Sequence, residues 1–238
     1  MKFLFRTLSL IFVGLTATQT VQAGGFGISA TRLIYPQGAS SVSLTLRNTQ
    51  PDAPYLVQTT VSASIDGKGV APFLVTPPLF RLEPNSSNQI RISANGGALP
   101  SDRESVFYIN ARAIPSSVAG TGEDQQQSVG GEVKLGVANV IKLFYRPAGL
   151  APTVANVHKN LQFTLVKEGL QVNNASPYFI NFAGISFAGE ALSLARAEAS
   201  MIAPFSSHIF PTKVKQGEIR WRVINDLGGI DAFTKVVP

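Results

Sequence analysis

A chain of 238 residues with 45% hydrophobic and only 14% charged side chains can build packed cores and is too apolar for a disordered protein. Its net charge of +6 comes from lysines and arginines scattered singly, without a basic block, so nothing in it points to nucleic-acid binding. It has no cysteine, which excludes disulfides and thiol chemistry and leaves stability to packing.

The chain opens with Lys2 and Arg6, an apolar run from Leu8 to Leu15, and the small-residue site Val21-Gln22-Ala23. This is the pattern of a secretory signal peptide over residues 1–23, cut after Ala23. The apolar run is too short to span a bilayer. Losing Lys2 and Arg6 would lower the net charge from +6 to +4 and leave roughly 215 residues, suited to two domains of about 100 each.

Short alternating runs follow in order. Val42, Leu44 and Leu46 mark one strand, Tyr55 to Val61 another, Ile90 and Ile92 a third, and Val106 to Ile114 a fourth. Ser116 to Gly131 is polar and glycine-rich. It reads either as a tolerated surface insertion or as an extension that orders when the next strand pairs with a partner. That next strand is the clearest signal in the chain. Val129, Val133, Leu135 and Val137, then Ile141 and Leu143, place apolar side chains on one face at a period of two, with Gly131 interrupting the row. Val140, Ile141, Leu143 and Phe144 are apolar on both faces, as in a strand covered on both sides. Arg146 to Pro152, with two prolines and a glycine, reads as a hinge. Strands resume at Leu161 to Val166, Leu170 to Asn174, Tyr178 to Phe187 and Glu218 to Ile224. The Ala/Leu-rich segment Ala188 to Ser200 is expected to be helical. The fold class is all-β, of sandwich type.

Enzyme chemistry finds little support. His158 and His208 lack ligand spacing, and His208 reads as a surface or turn residue. Gly184 to Gly189 lacks the spacing of a nucleophile elbow, and no phosphate loop, dinucleotide fingerprint or metal cluster appears. No catalytic residue, metal or cofactor is expected. Asn85-Ser86-Ser87 matches a glycosylation pattern that carries little weight in this context.

Eight segments together resemble the periplasmic chaperones of the chaperone–usher pathway. They are TRLIYP (Thr31 to Pro36), RNTQ (Arg47 to Gln50), PYLVQ (Pro54 to Gln58), TPPLFRLEP (Thr76 to Pro84), DRES (Asp102 to Ser105), IKLFYRP (Ile141 to Pro147), NASPYF (Asn174 to Phe179) and WRVINDLGG (Trp221 to Gly229). The resemblance implies two immunoglobulin-like β-sandwich domains in an L shape: residues 24–146, a hinge at 147–152, and residues 153–238. It implies no enzymatic activity. Its partners would be fimbrial or surface-fibre subunits and an outer-membrane usher, with no nucleic acid, and its site the periplasm. The row Val129, Val133, Leu135 and Val137 would be the donor strand that fills a subunit's open groove by strand addition. The exposed row would also favour self-association of the free chain.

By the same resemblance, Arg32 and Lys142 would grip the subunit's terminal carboxylate from a solvent-filled cleft between the domains, fixing register. Strict alternation sets Lys142 on the face opposite Leu135. Glu104, Arg146 and Asp226 would form an ionic network across the domain junction. Pro54, Pro77 and Pro78 would shape the edge that meets the usher. The long linker after Ile114 suggests the long-loop subfamily. Many of its members carry a cysteine pair at the base of that loop, where this chain has Asn110 and Val140. The rival readings are an exported two-domain adhesin or fibre component and a carbohydrate-binding module. The first lacks a donor segment ahead of its first strand, and the second would need a cluster of exposed aromatics, whereas Trp221 reads as core.

If residues 1–23 are a cleaved signal peptide, mass spectrometry of the protein from a periplasmic extract should find Gly24 as its first residue. An intact Met1 would remove the export claim.

Overall fold

The structure, a computed structural model, describes residues 25–115 and 135–237. The signal-peptide residues, the Ser116 to Gly131 segment, Val129 and Val133 lie outside the described residues.

The first half forms two facing sheets. One contains β1 (Phe26–Ile28), β3 (Val42–Asn48), β7 (Ser86–Ala94) and β5 (Phe73–Thr76), in that spatial order. The other runs β2 (Arg32–Pro36), β9 (Val137–Arg146), β8 (Ser105–Pro115), β4 (Tyr55–Ser62) and β6 (Leu79–Leu82). The chain therefore changes sheets between β1 and β2. All these pairings are antiparallel except β2 with β9, which is parallel and begins with Arg32 opposite Lys142. Period-two alternation turns Leu44, Leu46, Ile90, Ile92, Val57, Ile109 and Leu143 into one buried core. Tyr35 is buried with them. Its hydroxyl donates to the Ala39 carbonyl at 2.7 Å and accepts from the Ala94 amide at 3.1 Å, so burying it strands no polar group.

The second half has its own core around Trp221, Ile180, Phe187, Leu170, Val172 and Phe210, and no residue belongs to both. One sheet is β10 (Gln162–Val166), β11 (Gly169–Asn174) and β15 (Ser206–Pro211). The other is β13 (Glu190–Ala191), β12 (Ile180–Phe187), β16 (Gly217–Ile224) and β17 (Ile230–Val237), with β14 (Met201–Ile202) also pairing with β12. A short helix, α1 (Val154–Lys159), precedes β10. The Trp221 indole donates to the His158 carbonyl of α1 at 2.9 Å.

One expectation needs correction, one is narrowed, and one element was unforeseen. Ala188 to Ser200 is not a helix. Ala188 and Gly189 both take positive φ in a turn, the chain returns as β13, and only Ala197–Ser200, α2, is helical. Leu192 is buried with its amide bonded to the Ile185 carbonyl, a sheet-like contact that the Ala/Leu composition conceals. Of the two readings of His208, surface or turn, its part-exposed strand position leaves the first. It lies within β15 with its ring against the edge of Phe210. α1 went unforeseen because six residues offer a single i, i+3, i+4 set, Val154, Val157 and His158, too short for a period to declare itself.

The domains meet where the β16–β17 turn lies against the first domain. Gly228 takes a φ of +83°, and a β-carbon there would collide with the Thr31 hydroxyl oxygen. Glycine is required both by the conformation and by the close approach. Gly228→Ala should therefore loosen the junction while leaving each core intact. Limited proteolysis of the hinge at 147–152 should quicken, with both cores still folded by circular dichroism. Unchanged cleavage would show that the approach is not needed.

Candidate functional site

β9 presents different faces to different neighbours. Leu143 is fully buried in the first core. Lys142, Phe144 and Arg146 alternate with it and point the other way, toward the second domain. Phe144 lies 5.6 Å, ring to ring, from Phe179. This explains the two-sided apolarity of the segment: one side is the domain's own core, the other is the domain junction.

At that junction Arg146 joins both domains. Its Nε donates to Glu104 Oε1 at 2.7 Å, and its Nη1 and Nη2 donate to the two carboxylate oxygens of Asp226 at 2.6 and 2.7 Å. Tyr178 packs under the guanidinium, 5.2 Å from ring centre to Cζ. Glu104 Oε2 accepts the Phe179 amide at 2.9 Å, and the Glu104 amide donates to the Pro177 carbonyl at 2.9 Å. The NASPYF segment is thus bound to DRES through main chain and side chain together. Burial pushes the Glu104 carboxyl up against the opposing pull of Arg146 and the Phe179 amide. Asp226 resists its own desolvation through the hydrogen bonds and charge of Arg146 and is held below the ordinary carboxylate range. Burial also works against the Arg146 charge, but its two carboxylate partners outweigh it and hold the guanidinium above its ordinary value.

Arg32 and Lys142 are neighbours through the parallel β2–β9 ladder. Neither forms an ion pair with a carboxylate among the described residues, although Glu104 and Asp226 line the same space as Arg32 and act on its charge. Arg32 Nη1 donates to the Ile224 carbonyl at 3.0 Å, its guanidinium lies over the Phe144 ring, and its buried Nε has no described partner. Lys142 Nζ donates to Asn181 Oδ1 at 2.8 Å. Burial lowers both pKa values, and for Lys142 the Arg32 charge adds to the effect. Around Arg32 little space is left between the domains, while Lys142 stays partly exposed. The space beside Arg32, bounded also by Glu104, Arg146, Asn181, Ile224 and Asp226, is about 10 Å³, room for one water at most. Both cations reach across to the second domain.

The described part of the apolar row is exposed. Leu135 is 78% and Val137 42% accessible. β2 covers β9 only from Lys142 onward. Among the described residues, the stretch from Val137 to Ile141 has β8 on one side and no paired strand on the other. Asn110 and Val140 stand directly opposite each other in the β8–β9 ladder. Asn110 is buried and donates to the Ser62 hydroxyl at 2.8 Å.

Two participants were missed in the sequence. Ile224 contributes a main-chain carbonyl, which leaves no side-chain signal. Asn181 did leave one: a lone carboxamide between Ile180 and Phe182 in an otherwise apolar strand.

Comparison with known proteins follows this geometry. A family model described as the N-terminal domain of pili and flagellar-assembly chaperones of the PapD type matches residues 25–151, and the corresponding C-terminal domain model matches residues 156–235. The chain is 36% identical over 224 residues to a probable fimbrial chaperone protein, ElfD, of Escherichia coli O157:H7, covering 93% of this chain and 91% of that one. Among solved structures it is similar to the complex of the SafA pilin with the SafB chaperone from Salmonella enterica, with TM-score 0.75, 31% identity and coverage of 91% of this chain and 98% of that one. It is also similar to the E. coli chaperone DraB, with TM-score 0.74, 34% identity and coverage of 90% and 97%. The two sandwiches are accordingly immunoglobulin-like.

Arg146→Ala should cost about 3–5 kcal/mol, because it leaves Glu104, only 3% exposed, as a buried carboxylate without its cation. Urea unfolding at neutral pH would measure the loss. A change below about 1 kcal/mol, the range of an exposed pair, would make the contact superficial.

Proposed function

This chain belongs to the family of pili and flagellar-assembly chaperones, and we propose that it is a periplasmic chaperone that holds fimbrial subunits by strand addition and passes them to an outer-membrane usher. The similarity to SafB, solved with a pilin, supports a pilus subunit as partner. The relatives named above are chaperones, which disfavours the adhesin reading. The reading assigns the chain no catalytic step and no cofactor.

One observation carries the mechanism: β9 is open along Val137 to Ile141 and runs directly into two cations, neither of which is ion-paired with a carboxylate among the described residues. A partner strand pairing along the open half would lie in line with β2. If it runs parallel to β9, as β2 does, its C-terminus arrives at Arg32 and Lys142. Run the other way, it would bring its ammonium terminus to two positive charges. Electrostatics therefore favours the parallel arrangement and a terminal carboxylate at the anchor. The charge balance agrees. Arg32, Lys142 and Arg146 face only Glu104 and Asp226 within this cluster, so one positive charge remains for one incoming anion. Once the carboxylate fixes register, Leu135 and Val137, with Val129 and Val133 before them, would project into the subunit's groove.

The test is periplasmic co-purification of a fimbrial subunit encoded beside this gene. Arg32→Ala or Lys142→Ala should abolish capture. Leu135→Glu should do the same with little change in thermal melting, because a side chain this exposed is not part of the chain's own core. Normal capture by the Arg32 and Lys142 variants would remove the anchor, and unfolding by Leu135→Glu would return that side chain to the first domain's core.

A further inference from the structure

Asn181 is 2% exposed and lies on the back of β12, whose other face carries Ile180 and Phe182 into the second core. A buried carboxamide must place both its acceptor and its donors. Its Oδ1 accepts from Lys142 Nζ at 2.8 Å, and Nδ2 donates to no described protein atom. It therefore brings an unused N–H donor to the ammonium that it holds.

This differs from what the junction does with Arg146. There, carboxylates on both sides cancel the charge. At Lys142 the second domain supplies a neutral acceptor instead, as the Ile224 carbonyl does for Arg32. A neutral acceptor fixes a flexible lysine in one rotamer without spending its charge. The ordering is then complete before any partner arrives.

We propose that Asn181 is the third member of the carboxylate anchor: it positions Lys142 through Oδ1 and donates Nδ2–H to the incoming terminal carboxylate. The inference rests on the reading that Arg32 and Lys142 bind that carboxylate. In this arrangement one carboxylate is met by a guanidinium, an ammonium and an amide, donors from both domains at once. Capture would therefore depend on how the two domains are set relative to each other, not on the first domain alone.

Two variants separate this role from simple packing, using capture of the same coexpressed subunit. Asn181→Asp keeps the shape and the acceptor but removes the donor and sets a resident carboxylate against Lys142. Asn181→Leu keeps similar bulk and removes both functions. Capture should fall about tenfold or more in each, the scale of a lost hydrogen bond to a charged group. In Asn181→Asp the thermal midpoint should hold or rise, and the Lys142 side-chain pKa, followed by NMR of the free protein, should move up. If Asn181→Asp captures as well as the parent while Arg32→Ala and Lys142→Ala do not, the inference fails and the anchor stands. If all four variants capture normally, the anchor fails with it. An unfolded Asn181→Asp would also overturn the proposal, since it would make the residue structural.

Discussion

Among the contacts that join the two sandwiches, the charged ones centre on the guanidinium of Arg146. It takes Glu104 from its own domain and both oxygens of Asp226 from the other, and it rests on Tyr178. A short connection at 147–152 does not by itself set the angle between two domains. A planar group with a rigid set of donors does, because each N–H must find its acceptor in a fixed direction. Where Asp226 sits depends on the turn beside it. Asn225 holds that turn together, its Oδ1 accepting the amides of Leu227 and Gly229 and its Nδ2 donating to Asp231.

β9 then distributes the consequences. Leu143 secures it to the first core, Phe144 and Lys142 face the second domain, and Val137 with Leu135 lies free beyond the end of β2. One strand thus connects core, junction and exposed edge within about ten residues, and each function uses a different part or face of it. The alternation of a β-strand is what allows this, since neighbouring residues point to opposite sides.

The sequence disclosed its period-two elements well. Leu44 with Leu46, and Ile90 with Ile92, are core positions because strands expose and bury in alternation. The two-faced segment around Phe144 was also legible as doubly covered, though not what covered its second face. Very short strands such as β13 and β14 carry too few residues for a pattern. The turn at Ala188–Gly189 prevailed over the helix propensity of the alanines and leucines around it. The site charges were legible only through likeness to a family. Glu104, Arg146 and Asp226 stand singly and far apart in sequence, and no local pattern marks charges that meet only after folding. Asn181 was overlooked because a single polar residue in a strand ordinarily signals a solvated face, and here that face is covered by another domain.

The contrast between saturated and unsaturated cations has a consequence for ionic strength. Arg146 has its counter-charges built in at hydrogen-bond distance and partly buried, where mobile ions reach poorly. Added salt should leave the attachment of the domains almost untouched. On the proposed reading, Arg32 and Lys142 would meet a charge that approaches through solvent, and that approach would be screened over a Debye length of about 8 Å at physiological salt. The molecule therefore separates two sensitivities. Its own geometry should be nearly indifferent to the electrolyte, while on the proposed reading the rate of carboxylate capture would follow the salt around it. A carboxylate seated there with water excluded would pass from the second regime into the first.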